Sequence, residues 1–86
     1  MVNEERPTPP AVTFQSGAQL LIDMGIVDHI THQGVRHIAD NDPDWPFGNG
    51  RDHPYWKVAN ATVMATEPFL EFFRERERKR RHDARR

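Results

Sequence analysis

Apolar residues return at a helical spacing twice in the first half of this chain, then give way to short aromatic runs. In SGAQLLIDMG (16–25), Ala18, Leu21 and Ile22, with Leu20 flanking, share one side of a 3.6-residue turn and predict a short helix. Ser16 with Gln19 has capping-box spacing, and Gly25 stands where a left-handed residue closes a helix. After the connector IVDH, Ile30, Val35, Ile38 and Ala39 repeat that period through THQGVRHIADN. Thr31 is the expected N-cap of this second helix, with Asp28 an alternative start one turn earlier. His32, Gln33, Arg36, His37 and Asp40 fall on its polar side. Gly34 weakens the helix, and Pro43 stops it at about Asn41 or Asp42.

The next stretch, DNDPDWPFGNGRDHPYW (40–56), holds both tryptophans and the only tyrosine. WPF and YWKV read as two short strands, and GNGRDHP between them is turn material. Asn49–Gly50 is a strong hairpin signal, since a type I′ turn needs positive φ at both central residues. That pairing puts Arg51, with His53 near it, at an exposed tip, and lays Trp45, Tyr55 and Trp56 on the helices as core. ANATVMA (59–65) follows as a third strand or as extended chain.

The last element is a helix. Thr66 is the expected N-cap, Glu67 suits the positive end of the helix dipole, and Pro68 is tolerated in the first turn. Phe69, Leu70, Phe72 and Phe73 supply its buried face. Beyond Arg74 no apolar face remains, and Glu75 with Lys79 and Glu77 with Arg81 are i,i+4 pairs that favour helix running on into solvent.

Composition narrows the classes. At 86 residues the chain is one small domain with a modest core. Without cysteine it has neither a disulfide framework nor a thiolate metal site. No apolar run approaches a membrane span and no signal peptide is visible, so a cytoplasmic location without membrane contact is expected. The net charge of −1 hides an asymmetry: residues 74–86 carry eight Lys/Arg against three Asp/Glu, while residues 1–73 carry four against ten. Such asymmetry points to a nucleic acid or another anionic partner, or to a solvated helix end. The expected organisation is a Pro-rich disordered arm over 1–12, a folded domain over 13–74, and a basic helical extension over 75–86.

The chemistry of enzymes is not written here. No nucleophile stands beside a base, there is no phosphate-binding glycine loop, and so small a core leaves no room for a pocket of about 300 Å³. His29, His32, His37 and His53 lack an accompanying carboxylate pattern, so neither a metal nor another cofactor is expected.

Helix, turn, helix, aromatic hairpin, helix is the order that results. From Ser16 to about Phe73 the chain resembles the excisionase-like, MerR-type winged helix-turn-helix domains of phages and actinobacteria. The resemblance rests on the capped helix ending at Gly25 and on the Thr31-capped second helix. It rests further on the acidic corner Asp42, Pro43, Asp44, Trp45, Pro46, the glycine-rich segment after it, and Tyr55, Trp56, Lys57. The connector IVDHIT is longer than that family's tight turn, and the second helix has one permanent cation where members often carry two or three. The resemblance implies a small α+β fold with two short helices, a hairpin wing and a C-terminal helix. It also implies a non-enzymatic DNA-binding protein, either an excisionase (a recombination directionality factor) or a transcriptional regulator.

Physical reasoning assigns candidate contacts to duplex DNA. His32, Gln33, Arg36 and His37 would face base edges, because the second helix of such a motif enters the major groove. Asn49 and Arg51 would sit at the wing tip, with Arg51 entering a minor groove. Lys57, Lys79, Arg80 and Arg81 would serve phosphates. An integrase or another regulator is the expected protein partner, with self-association on DNA. The alternative is a protein-interaction module that binds a host or phage protein through its acidic body and C-terminal helix.

Overall fold

Thr13 and Ser16 together start the first helix. The Thr13 hydroxyl accepts from the Ser16 backbone N–H at 2.9 Å, and the Ser16 side chain accepts from the Thr13 N–H at 2.9 Å. The computed structural model describes residues 9–84, and in it this helix, α1, spans Phe14–Asp23. The capping box is therefore Thr13–Ser16 and not Ser16–Gln19: Ser16 is the third helical residue, and Gln19 bonds forward to Asp23 instead. At the other end Gly25 adopts φ +73°. Its N–H reaches Ile22 O and the Ile26 N–H reaches Leu21 O, both at 3.0 Å, which is a Schellman closure.

The second helix, α2, spans His32–Asn41, and the Thr31 hydroxyl caps it by accepting from the Gly34 N–H at 3.0 Å. Val35 is fully buried, and Ile38 and Ala39 pack half-buried against the core. His32, Gln33, Arg36, His37 and Asp40 are exposed, as the amphipathic pattern requires. Extended backbone at Asp42 ends the helix. The acidic corner then folds on itself, the Asp42 carboxylate accepting from the Asp44 N–H and the Asp42 carbonyl from the Trp45 N–H.

The sheet differs from the expected pairing. Strand β2 (Trp56–Val58) pairs with β3 (Ala61–Ala65), placing Trp56 opposite Val63, Lys57 opposite Thr62 and Val58 opposite Ala61. Strand β1 (Ala11–Val12) adds to the other edge of β3, so all three strands are antiparallel in the order β1-β3-β2. The hairpin is thus 56–65, turning at Ala59–Asn60, and WPF is not one of its strands. The arm boundary also moves. Val12 is buried, and the Thr66 N–H donates to Pro10 O, while residues 1–8 lie outside the described part.

Loop closure explains why the Asn49–Gly50 signal does not make a hairpin. Positive φ occurs at Gly48 (+120°) and Gly50 (+75°) but not at Asn49. A type I′ turn at Asn49–Gly50 is therefore excluded. The segment closes through Arg51 N–H to Gly48 O, Gly48 N–H to His53 O and His53 N–H to Pro46 O, around one parallel bridge of Phe47 with His53.

Strand β3 runs straight into α3 (Thr66–Ala84). Thr66 is consequently the first helical residue and not an external cap. Its hydroxyl is buried and has no hydrogen-bond partner among the described residues. Phe69, Leu70 and Phe73 face inward, and Trp45 stands among the aromatics, 5.6 Å from Phe47 and 5.1 Å from Phe72 between ring centroids. The Trp45 indole N–H donates to the Tyr55 hydroxyl at 2.8 Å, so this large ring is buried with its polar atom satisfied. Gly17 lets α1 approach α3, since a Cβ there would stand 2.6 Å from the Phe69 ring. Trp56, expected in the core, is 48% exposed. It belongs to a strand whose three residues are all exposed.

Candidate nucleic-acid interface

Arg36 projects from the middle of α2 and lies over the Phe14 ring, its guanidinium carbon 5.1 Å from the centroid. Phe14 in turn meets Tyr55, with centroids 6.1 Å apart. Tyr55 immediately precedes β2, so the polar side of α2 and the base of the β2–β3 hairpin are joined through two aromatic contacts. The stacking also holds the guanidinium end of a long, flexible side chain, and is worth about 0.5–1 kcal/mol at an exposed site.

Charge follows the same division. No Asp or Glu occurs from His29 to Ala39, nor from His53 to Thr66. These two carboxylate-free segments contain nearly all of α2 and the whole β2–β3 hairpin. Carboxylates gather elsewhere: Asp40 in the last turn of α2, Asp42 and Asp44 at the corner, Asp52 in the loop, and Glu67, Glu71, Glu75 and Glu77 along α3. Sequence reading did not use this gap, although it is visible as a spacing of acids.

Within α2, His32 and Gln33 are exposed on its first turn. His37 is partly engaged, its Nδ1 lying 3.3 Å from the Asn41 amide nitrogen, which also donates to the His37 carbonyl at 2.8 Å. Lys57 is exposed on the hairpin, on the opposite side of the strand from Trp56 and Val58.

Arg51 is not at a free tip. One guanidinium nitrogen donates to Pro43 O at 2.8 Å and Trp45 O at 2.6 Å, which turns the side chain back across the loop. Asn49 is exposed beside it, away from the actual hairpin turn. The residues expected at one wing tip are therefore separated: Asn49 and Arg51 belong to the closed 48–53 loop, Lys57 to the hairpin.

The basic end of α3 is partly neutralised by its own carboxylates. Arg78 bonds Glu75, and Arg80 bonds Glu77 at 3.1 Å, both at i,i+3 spacing, while the expected partner Lys79 stands nearest Asp44 and not Glu75. The Arg78 guanidinium holds the Glu75 carboxyl below its ordinary value. Lys79 stands 3.9 Å from Asp44. Arg81 lies on the helix, but its side chain is outside the described part.

Open grooves lie along α3, among them one lined by Asp42, Asp44, Phe72, Glu75, Arg76, Lys79 and Arg80. A further one, of about 480 Å³, lies between α3 and the α1–α2 connector and is floored by Val27, Ile30, Ile38 and Phe73. Another, of about 380 Å³, lies along the first half of α3 and carries Asp44, Asp52, Glu71 and Glu75 around Phe72. The size argument against a pocket thus applies to the core and not to the surface. Among the described residues no three His, Asp or Glu side chains gather as a metal site, and no helix is long and apolar enough to cross a membrane. No family model matches the chain, and neither a curated protein nor a solved structure matches it.

Proposed function

We propose that this chain is a non-enzymatic DNA-binding protein built as a winged helix-turn-helix, with α2 as its reading helix and the β2–β3 hairpin as its wing. It would act as an excisionase-like factor or as a small transcriptional regulator, working beside an integrase or another regulator. The observation that carries the reading is the chain of contacts from Arg36 through Phe14 to Tyr55, which joins α2 to the base of the hairpin bearing Lys57, two segments without Asp or Glu from His29 to Ala39 and from His53 to Thr66. A polyanion is repelled by acids and drawn by cations, and here the hairpin has no acid and α2 has one, Asp40, in its last turn. His32, Gln33 and Arg36 are exposed side chains able to bond base edges, Gln to adenine and Arg to guanine. Arg51 is dropped from the proposed contacts, because its guanidinium is committed to backbone carbonyls.

The acidic groove around Phe72 favours a second reading, in which a basic segment of another protein binds there and the chain is an interaction module. A gel shift with mixed-sequence duplex at low and moderate salt separates the two. DNA binding through several phosphates predicts retention at low salt and a loss of orders of magnitude at moderate salt. No retention at low salt would give first place to the interaction module.

A further inference from the structure

The arginines of this chain are held in two different ways. Arg51 is tied through its N–H groups to Pro43 O and Trp45 O, Arg78 to the Glu75 carboxylate, and Arg80 to that of Glu77. Arg36 makes no ion pair among the described residues, not even with Asp40 one turn further along α2, and is met by a ring: its guanidinium carbon stands 5.1 Å from the Phe14 centroid. The difference is chemical. A carboxylate or a carbonyl takes up N–H donors, whereas an aromatic face attracts the cation and takes up none. Arg36 is thus placed while its planar fork of donors is left for a further partner.

The ring is itself fixed. Phe14 is the first residue of α1, straight after the Thr13 cap, and its centroid lies 6.1 Å from that of Tyr55. The Tyr55 hydroxyl accepts from the indole N–H of Trp45, which is buried. Two rings therefore carry the position of Arg36 back to the core. Resting on the DNA-binding reading, we propose that Phe14 is a positioning residue for base recognition. It holds Arg36 in place with its donors left for guanine O6 and N7, so that less rotamer freedom is lost when that contact forms. A reading helix whose only Lys or Arg is Arg36 gains most from such ordering. Phe14 also packs half-buried against the core, a task that leucine would perform as well. Leucine would not attract a cation.

That contrast sets the test. Parent, Phe14→Leu, Phe14→Tyr and Arg36→Ala each select from a pool of randomised duplexes, with retention of one mixed-sequence duplex at low salt as the control. Arg36→Ala should lower the preference for one guanine about five- to hundredfold. Phe14→Leu should lower it at that same base pair about two- to tenfold, while Phe14→Tyr keeps it and both Phe14 variants retain the control duplex like the parent. Phe14→Leu that enriches the guanine like the parent, where Arg36→Ala does not, overturns the inference. Equal loss in Phe14→Tyr assigns the effect to shape and overturns it too. A parent that retains the control duplex yet enriches no guanine through Arg36 overturns it and leaves DNA binding standing, whereas absence of retention by the parent removes both. Should Phe14→Leu fail to fold, the proton–nitrogen NOE of the Arg36 side-chain Nε–H in the free parent decides. An ordered Nε–H is expected, and fast motion there overturns the inference whatever the variants do.

Discussion

Arg51 keeps the loop after the acidic corner closed with a single guanidinium nitrogen. Truncating it leaves Pro43 O and Trp45 O without that donor. Arg51→Ala should therefore cost about 1–3 kcal/mol of stability and leave low-salt DNA affinity nearly unchanged, as a melting curve and a titration on the folded variant would show. An unaltered melting temperature with weakened binding would return Arg51 to the interface. Gly17 makes the opposite kind of demand, for space. Its missing Cβ would sit 2.6 Å from a Phe69 ring that is itself wedged among Trp45 and Phe73, so Gly17→Ala should destabilise by about 1–3 kcal/mol in chemical denaturation. At this scale sequence reading divided unevenly. Trp45, Phe69 and Phe73 could be placed inside because large rings dominate small cores, and Trp45 is buried as expected. Trp56 has the same chemistry and lies outside, because burial depends on where the neighbouring strand runs, which its own side chain does not encode.

Helices were the legible elements, since periodicity, caps and stops act within a few residues of one another. Thr31, Gly25 and Pro43 mark boundaries by local chemistry, and α1 and α2 lie close to where those marks fall. The hairpin depended on a choice between two turns, and the weaker-looking one is used. Ala59 takes φ +57°, a region that an L-residue with a Cβ enters at a cost of about 1–2 kcal/mol. The register of Trp56, Lys57 and Val58 on β3 imposes that strain, and no propensity scale would select it. Ala59→Gly should relieve most of the strain, less the entropy that glycine loses on folding. The expected net gain is about 0.5–1 kcal/mol, seen as a melting temperature higher by several degrees. A fall in stability would show that the Ala59 methyl makes a contact outweighing its backbone strain.

Across the whole molecule, charge is segregated more sharply than its net value suggests. The basic stretch was legible by counting, but its internal pairing was not, because Arg78 and Arg80 choose their carboxylates by rotamer and helix geometry. Deleting residues 79–86 removes five Lys/Arg and one Asp beyond Phe73, the last deeply buried side chain among the described residues. The melting temperature should stay within about two degrees. Duplex affinity should fall alike for all sequences, and its dependence on the logarithm of salt should become shallower, as expected of lost phosphate contacts. An unchanged slope would assign that stretch to another role. The position of β1 bears on how the protein comes into being. Ala11 and Val12 are made early, yet their partners Ala65 and Met64 lie past the second helix, the loop and the hairpin. During synthesis the sheet cannot close until almost the entire domain has left the ribosome, while α1 and α2 can meet long before. Until then β1 has no strand to pair with, and Val12, buried in the finished fold, waits in water. The nascent chain is therefore most vulnerable to mispairing in the interval before residue 65 emerges, and the β1–β3 pairing then fastens residues 11–65 into a closed loop onto which α3 packs.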